Sequence, residues 1–388
     1  MWCKRLDNIK VGLIVAPQTA EKLTKQCLKL FSNYFKKMVP EVNFEFEIES
    51  NVVIGSAEHV DRCIDYAYKK KRKKEWNYSI CITDLPSFSN NKTVLSDINL
   101  QKQTAMVSLP ALGIFRIKHK LCSVIIDIVS YIYKTSKNKS RNSPFENLFS
   151  SKIKEVTPTN EFPNNERYIY NSTAMGMTKT ILGMTYANEP WKAVISFKKV
   201  IALGLATGTY ISIFSTPWQL SVEYEWPRFV ILMLLSFIGM VGWLIYAHNF
   251  WEPSSSKSQK KYRYLYNLTT LLTMLCLIFL SYIVLFFLLL TSIVLFVPDN
   301  LFKSWGYANE SYSISNYLRL SWFISSAGLL AGSLGTVMEG ETKMKELTYT
   351  SRQMSRSEKI QDQVEKEESL ENENLEKNEN PKSPSYKE

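Results

Sequence analysis

The residues most able to do chemistry are few and scattered in this 388-residue chain: His59, His119 and His248, and Cys3, Cys27, Cys63, Cys81, Cys122 and Cys276. They form no CxxC pair, no HExxH helix turn and no Cys–His pair, and no Gly-x-Ser-x-Gly elbow occurs, so no metal and no activated nucleophile is expected. GxGxxG and GxxxxGK[ST] are also missing, which leaves a nucleotide without a phosphate loop and gives no reason to expect a cofactor. What remains is a set of hydroxyls and carboxylates beside short apolar runs: Thr19, Thr83, Asp84, Asp97 and Ser108. Ligands of α/β sheets bind beyond the C-terminal ends of strands, and these residues sit in or near such turns, so they are the candidate ligand-binding residues. Helix capping and turn formation account for the same residues equally simply.

The elements that must position them alternate along residues 1–135. Ile9–Val15 is an apolar run, and Thr19–Val39 repeats Leu23, Cys27, Leu30, Phe31, Tyr34 and Phe35 at helical spacing. Phe44, Phe46 and Ile48 alternate with Glu45, Glu47 and Glu49, a half-buried strand with an acidic outer face. Ser56 is placed to cap a helix over Ala57–Lys74; Tyr78–Thr83, Val94–Ile98 and Ala105–Leu109 read as strands, and Lys118–Tyr133 as an amphipathic helix. The order β-α-β-α-β-β-β-α predicts a three-layer α/β domain. Residues 136–172, rich in Lys, Ser, Asn and Pro, read as a linker.

The middle of the chain changes character. A bilayer core of about 30 Å needs about 20 apolar residues in a helix. Four stretches qualify, at about 193–217, 229–247, 266–297 and 320–337, giving an all-α transmembrane four-helix region over 192–338. Residues 173–191 read as a short interfacial helix or a simple linker, with Met175, Met177, Ile181, Leu182 and Met184 before Trp191. Residues 339–388, rich in Glu, Lys, Asn and Ser, read as a disordered tail.

Charge orients this arrangement. Of the net +11, residues 1–190 supply +10 and residues 191–338 supply +5, while residues 339–388 carry −4. Lys192, Lys198 and Lys199 precede the first span and Lys257, Lys260, Lys261 and Arg263 join the second to the third; the other two loops are poor in positive charge. Basic loops stay inside, so a multi-pass plasma-membrane protein with both termini cytoplasmic is expected, and its cysteines should be reduced packing residues. The spans carry no Asp, Glu, Lys or Arg at mid-depth, which argues against a charge-coupled transporter. Gly204 and Gly208, Gly239 and Gly242, and Gly328, Gly332 and Gly335 give close-packing helix faces, either within one bundle or between copies in a homo-oligomer.

The densest charge is Lys69-Lys70-Lys71-Arg72-Lys73-Lys74, closing a helix. A solvated helix end and contact with anionic lipid head groups of the bilayer both explain it. Nucleic acid is not the expected partner, because no aromatic stacking platform accompanies the run.

The segments Val11-Gly12-Leu13-Ile14-Val15-Ala16-Pro17, Thr19-Ala20-Glu21-Lys22-Leu23, Cys81-Ile82-Thr83-Asp84-Leu85-Pro86, Val107-Ser108-Leu109-Pro110-Ala111-Leu112-Gly113 and Ala187-Asn188-Glu189-Pro190-Trp191 together resemble a family of uncharacterised membrane proteins of Gram-positive bacteria. The resemblance spans about residues 9–340 and implies an inward-facing α/β head on a helical membrane anchor, with no activity attached. The Thr83-Asp84 and Val107-Ser108-Leu109 strands also resemble the sheet of archaeal-type zinc peptidases, but Lys118–Tyr133 has no HExxH, so that activity is not carried over. The functional expectation is a ligand-sensing or scaffold head without catalysis. The alternatives are a tethered enzyme acting on a nucleotide-like or folate-like molecule, and a small-solute permease.

Overall fold

The computed structural model describes residues 7–51, 60–137, 145, 153–156, 165–251, 260–298 and 314–334. The chain divides between Ala187 and Asn188 into two units.

The first unit is built on one mixed sheet in the order β2-β1-β3-β6-β5-β8-β7, with the short strand β4 paired to β5. The strands are β1 Asp7–Val15, β2 Val42–Ser50, β3 Tyr78–Thr83, β4 Phe88–Ser89, β5 Lys92–Asn99, β6 Thr104–Ser108, β7 Ile153–Val156 and β8 Asn165–Tyr170. β2, β1, β3 and β6 are parallel; β5, β8 and β7 then alternate antiparallel. The parallel strands are connected through α1 (Thr19–Met38) and α2 (Val60–Lys73), and α3 (Ile117–Ser136) follows β6.

Strand alternation sends successive side chains to opposite faces. Leu13 and Val15 enter a core with Cys27, Phe31 and Phe35 of α1 and Leu121, Ile125 and Ile128 of α3. Ile14, between them, enters a second core with Cys63, Ile64 and Ala67 of α2, Trp76, Cys81 and Met106. Gly12 points the same way, and a Cβ there would lie 1.9 Å from the Trp76 ring, so only glycine admits that indole against the sheet. The acidic face of β2 is also explained. Glu49 accepts from Lys70 at 2.6 Å, Glu47 accepts from the Trp76 indole at 2.8 Å, and Lys74 stands 3.7 Å from Glu47.

Three features differ from the sequence reading. The stretch 136–172, read as a linker, contains β7 and β8, and β8 pairs with β5 from Val94 to Asn99. Tyr168 and Tyr170, buried in the α1–α3 core, give this strand its apolar face. Residues 173–187 form the helix that the sequence reading offered, α4 (Thr173–Ala187), but it packs within the first unit. Its small residues Gly176, Thr180 and Gly183 recur at helical spacing on one face. A Cβ on Gly183 would fall 2.2 Å from the Pro110 carbonyl oxygen, and one on Gly176 would fall 2.9 Å from Thr93 Oγ1. That closeness buries Ile181 and Met184, residues the sequence offered to a leaflet. Finally, Cys27 and Cys122, expected as reduced thiols, form a disulfide with a Cα–Cα distance of 5.6 Å. They lie 95 residues apart, and only the packing of α1 on α3 brings them together.

The second unit contains α5 (Lys198–Ser212), α6 (Ser215–Glu223), α7 (Trp226–Ala247), α8 (Lys260–Phe296) and α9 (Ile314–Gly332). Among the described residues three helical stretches are long and apolar enough to cross a membrane: Thr173–Ser212, Trp226–Ala247 and Tyr262–Phe296. The first expected span, 193–217, is interrupted where Phe214 turns extended and Ser215 starts α6. The fourth, 320–337, extends past the described residues, as do Gly335 and the tail 339–388. Among the described residues hydroxyls and glycines join these helices, and the Arg319 guanidinium of α9 donates to the Val222 carbonyl of α6. Ser236 donates to the Ser326 carbonyl at 2.7 Å, Tyr282 and Ser326 hydroxyls lie 3.0 Å apart, and Thr209 and Ser292 hydroxyls 2.9 Å apart.

Gly204 of α5 meets Gly328 of α9 so closely that a Cβ on either would stand 2.9 Å from the other's carbonyl oxygen; one on Gly332 would stand 2.8 Å from the Val200 oxygen. Nothing lies within 4 Å of a Cβ built on Gly242. Gly204→Leu is therefore expected to separate α5 from α9 and to cost about 1–3 kcal/mol, the usual penalty for overpacking. Gly242→Ala should be close to neutral. Thermal unfolding of the two purified variants in detergent measures the contrast, and equal melting temperatures would refute it.

Candidate functional site

The C-terminal ends of the parallel strands lie along one edge of the sheet, and four of the five candidate residues stand at or just beyond it. Thr83 and Ser108 are register partners across β3 and β6, so their side chains share a face. The loop after β3 then folds onto them. Ser108 Oγ donates to the Leu85 carbonyl at 2.9 Å, the Leu85 amide donates to Thr83 Oγ1 at 3.1 Å, and the Leu109 amide donates to the Thr83 carbonyl at 2.8 Å. Asp84, between Thr83 and Leu85, is buried. Thr19, which opens α1, donates its hydroxyl to the Ala187 carbonyl at 3.2 Å, joining the β1 end to the last residue of α4.

Asp97 stands apart from this group. Its neighbour on β6 is Met106, two residues from Ser108, and its neighbour on β8 is Arg167. The Arg167 Nε donates to Asp97 Oδ2 at 2.7 Å, while the other end of the guanidinium donates to Ser89 Oγ at 3.1 Å. The Asp97 side chain is wholly buried and that of Arg167 is 18% exposed, so this ion pair is largely shielded from solvent. Sequence reasoning did not find Arg167, because it assigned that stretch to a linker.

α4 adds residues to the same edge that the sequence did not flag. Thr180 Oγ1 lies 3.3 Å from Thr93 Oγ1, and the Lys179 ammonium lies 4.6 Å from the centre of the Tyr170 ring. The Tyr170 hydroxyl donates to the Ala111 carbonyl at 2.7 Å, and burial pushes its pKa well up. The edge therefore carries several hydroxyls, the Asp84 carboxylate, the Lys179 ammonium group and backbone carbonyls, with chemistry suited to hydrogen bonding. Among the described residues no three His, Cys, Asp or Glu side chains come close enough to hold a metal ion.

The basic run is partly committed elsewhere. Lys70 is held by Glu49, which raises its pKa, and Lys71 donates to the Lys102 carbonyl at 2.9 Å and to Gln103 Oε1 at 2.8 Å. Burial lowers the Lys71 pKa. Lys74 faces Glu47, so it is Lys69, Arg72 and Lys73 that take no part in the ion pairs found among the described residues.

One carboxyl titrates unusually. Burial on α3 pushes the Asp127 pKa up to about 6, against a partial pull downward from Lys134. The folded state then binds this proton more tightly than the unfolded chain does, so the contribution of Asp127 to stability is fully present below about pH 4 and is lost as pH rises through about 6. The expected loss is about 1–3 kcal/mol. Asp127→Asn should remove that slope and stabilise the protein at pH 7. Chemical unfolding from pH 4 to 7 tests this, and an unchanged slope in the variant would count against it.

No protein-family model, curated protein or solved structure matches this chain. Its class rests on its own architecture: a mixed α/β unit followed by helices long and apolar enough to cross a membrane.

Proposed function

We propose that this is a multi-pass plasma-membrane protein whose N-terminal three-layer α/β head senses a small ligand or serves as a scaffold. Four spans anchor the head, and the resemblance to Gram-positive membrane proteins is part of the same reading. The observation that supports binding over turnover is the state of the strand-end edge. Ser108 donates to a backbone carbonyl rather than to a base, and Asp97 is engaged by Arg167. A nucleophile needs a base within hydrogen-bond reach, and these groups are engaged in other bonds. The full-length protein in nanodiscs, screened against nucleotide-like, folate-like and other metabolites, tests the reading. Saturable binding without turnover supports it, and turnover of any ligand that binds overturns it in favour of the tethered enzyme.

The side on which the head lies has two readings. Positive loop charge supports a cytoplasmic head. The Cys27–Cys122 disulfide favours the opposite side, since such bonds persist in oxidising compartments. Reporters fused before Met1 and after Glu388 decide between them: activity confined to the outside at both ends would replace the cytoplasmic assignment.

A further inference from the structure

We infer that the head binds a linear long-chain carboxylate in the groove between α1 and α3, on the helical face of the sheet rather than at the strand-end edge. The proposal rests on reading the head as a ligand-binding module, and it names both a separate site and a ligand class.

The groove has a volume of about 490 Å³, within the range of small-molecule sites. Its apolar surface comes from Leu30 and Tyr34 of α1 and Ile126 of α3, and Cys122 of the disulfide also lines it. Leu30 is 50% exposed, a large aliphatic side chain left uncovered beside a cavity.

The two helices run side by side in the same direction. Phe44 packs against Phe35 near the end of α1 and against Tyr133 near the end of α3, and the disulfide ties their middles. Lys118 and His119 therefore lie at one end of the groove, one turn before Cys122, and Lys37 lies at the other, ten residues past Cys27. At 1.5 Å per residue the two lysines stand roughly 20 Å apart along the helices, with Leu30, Tyr34 and Ile126 between them and Asn33 and Ser123 beside these.

Charge selects the ligand. Neither Lys37 nor Lys118 has an ion pair or side-chain hydrogen bond among the described residues, and no carboxylate lines the groove. Asp127, next to Ile126 and close enough to act on Tyr34, sets one negative charge at neutral pH against the two lysines, so the groove keeps a positive balance. A long trough with apolar walls and a cation at its ends fits an extended alkyl chain ending in an anion. The disulfide holds the two walls at a fixed spacing, so the site is formed before the ligand arrives.

The test uses the full-length protein in nanodiscs and a diazirine-bearing dodecanoate, with labelled peptides mapped by mass spectrometry. Labelling should saturate, should fall on the peptides carrying Leu30–Lys37 and Cys122–Ile126, and should be competed by decanoate but not by decanol. Lys37→Glu combined with Lys118→Glu should weaken it at least tenfold, and Leu30→Asp should do the same, while hydrogen exchange elsewhere in the head stays unchanged. Labelling that does not saturate, that lies on the spans, or that ignores these variants overturns the proposal. A diazirine on the acyl chain of phosphatidylglycerol provides a second arm. Labelling of the groove by that lipid in place of dodecanoate would overturn the free-carboxylate site in favour of a leaflet contact. If dodecanoate fails to bind while the metabolite screen finds a saturable ligand, this site falls and the ligand-binding head stands. Turnover in that screen would remove the ligand-sensing reading without touching the groove result.

Discussion

Cys27→Ser and Cys122→Ser are each expected to destabilise the head by about 2–5 kcal/mol, the range for removing a native disulfide. The bond closes a loop of 95 residues, which includes β2, α2 and the strands from β3 to β6, so cutting it releases a large denatured-state ensemble. The measurement is hydrogen exchange of α1 and α3 amides in the full-length protein, which reports their opening free energy without unfolding the spans. Dithiothreitol on the unmodified protein should reproduce the effect of either variant, and the double variant should add nothing further. Unchanged exchange after complete reduction would mean that the packing of Phe31 and Phe35 against α3 suffices without the covalent link.

Arg167→Met should be nearly as damaging. The wholly buried Asp97 side chain would lose its guanidinium partner, and removing one member of a buried pair typically costs about 3–5 kcal/mol. Asp97→Leu combined with Arg167→Met should recover most of the loss, since an apolar pair of similar volume has no charge to desolvate. The same variants separate two roles for Asp97. If it is a structural partner of Arg167, Asp97→Asn lowers stability. If it is a ligand contact, Asp97→Asn abolishes saturable binding and leaves the unfolding midpoint of the full-length protein in place.

Much of the head was legible from local pattern. The runs at β1, β3, β5 and β6 and the helical spacing of Leu23, Cys27, Phe31 and Phe35 are short-range signals, and they reappear as elements within a few residues. The acidic alternation of β2 was visible too, but its partner was not: nothing in Glu47 or Glu49 points to a helix some twenty residues on, and only the parallel crossover lays Lys70 and Lys74 over them. β8 escaped because its six residues, Asn165–Tyr170, carry two charges and sit among Asn and Pro. Its identity as a strand comes from pairing with β5, a partner more than sixty residues away.

The candidate residues divide in the same way. Thr83 and Ser108 were identifiable because each ends an apolar run, and they do stand side by side. That Ser108 bonds to Leu85, Thr19 to Ala187 and Asp97 to Arg167 depends on loop closure and strand order, which composition does not encode. The apolar length of the membrane helices is a property of consecutive residues, because a bilayer tests each helix on its own. The disulfide, the α4 docking and the groove between α1 and α3 are properties of pairs far apart in sequence. They exist because the sheet places α1 and α3 on one face at a spacing that lets Cys27 meet Cys122 and leaves Leu30 and Tyr34 uncovered.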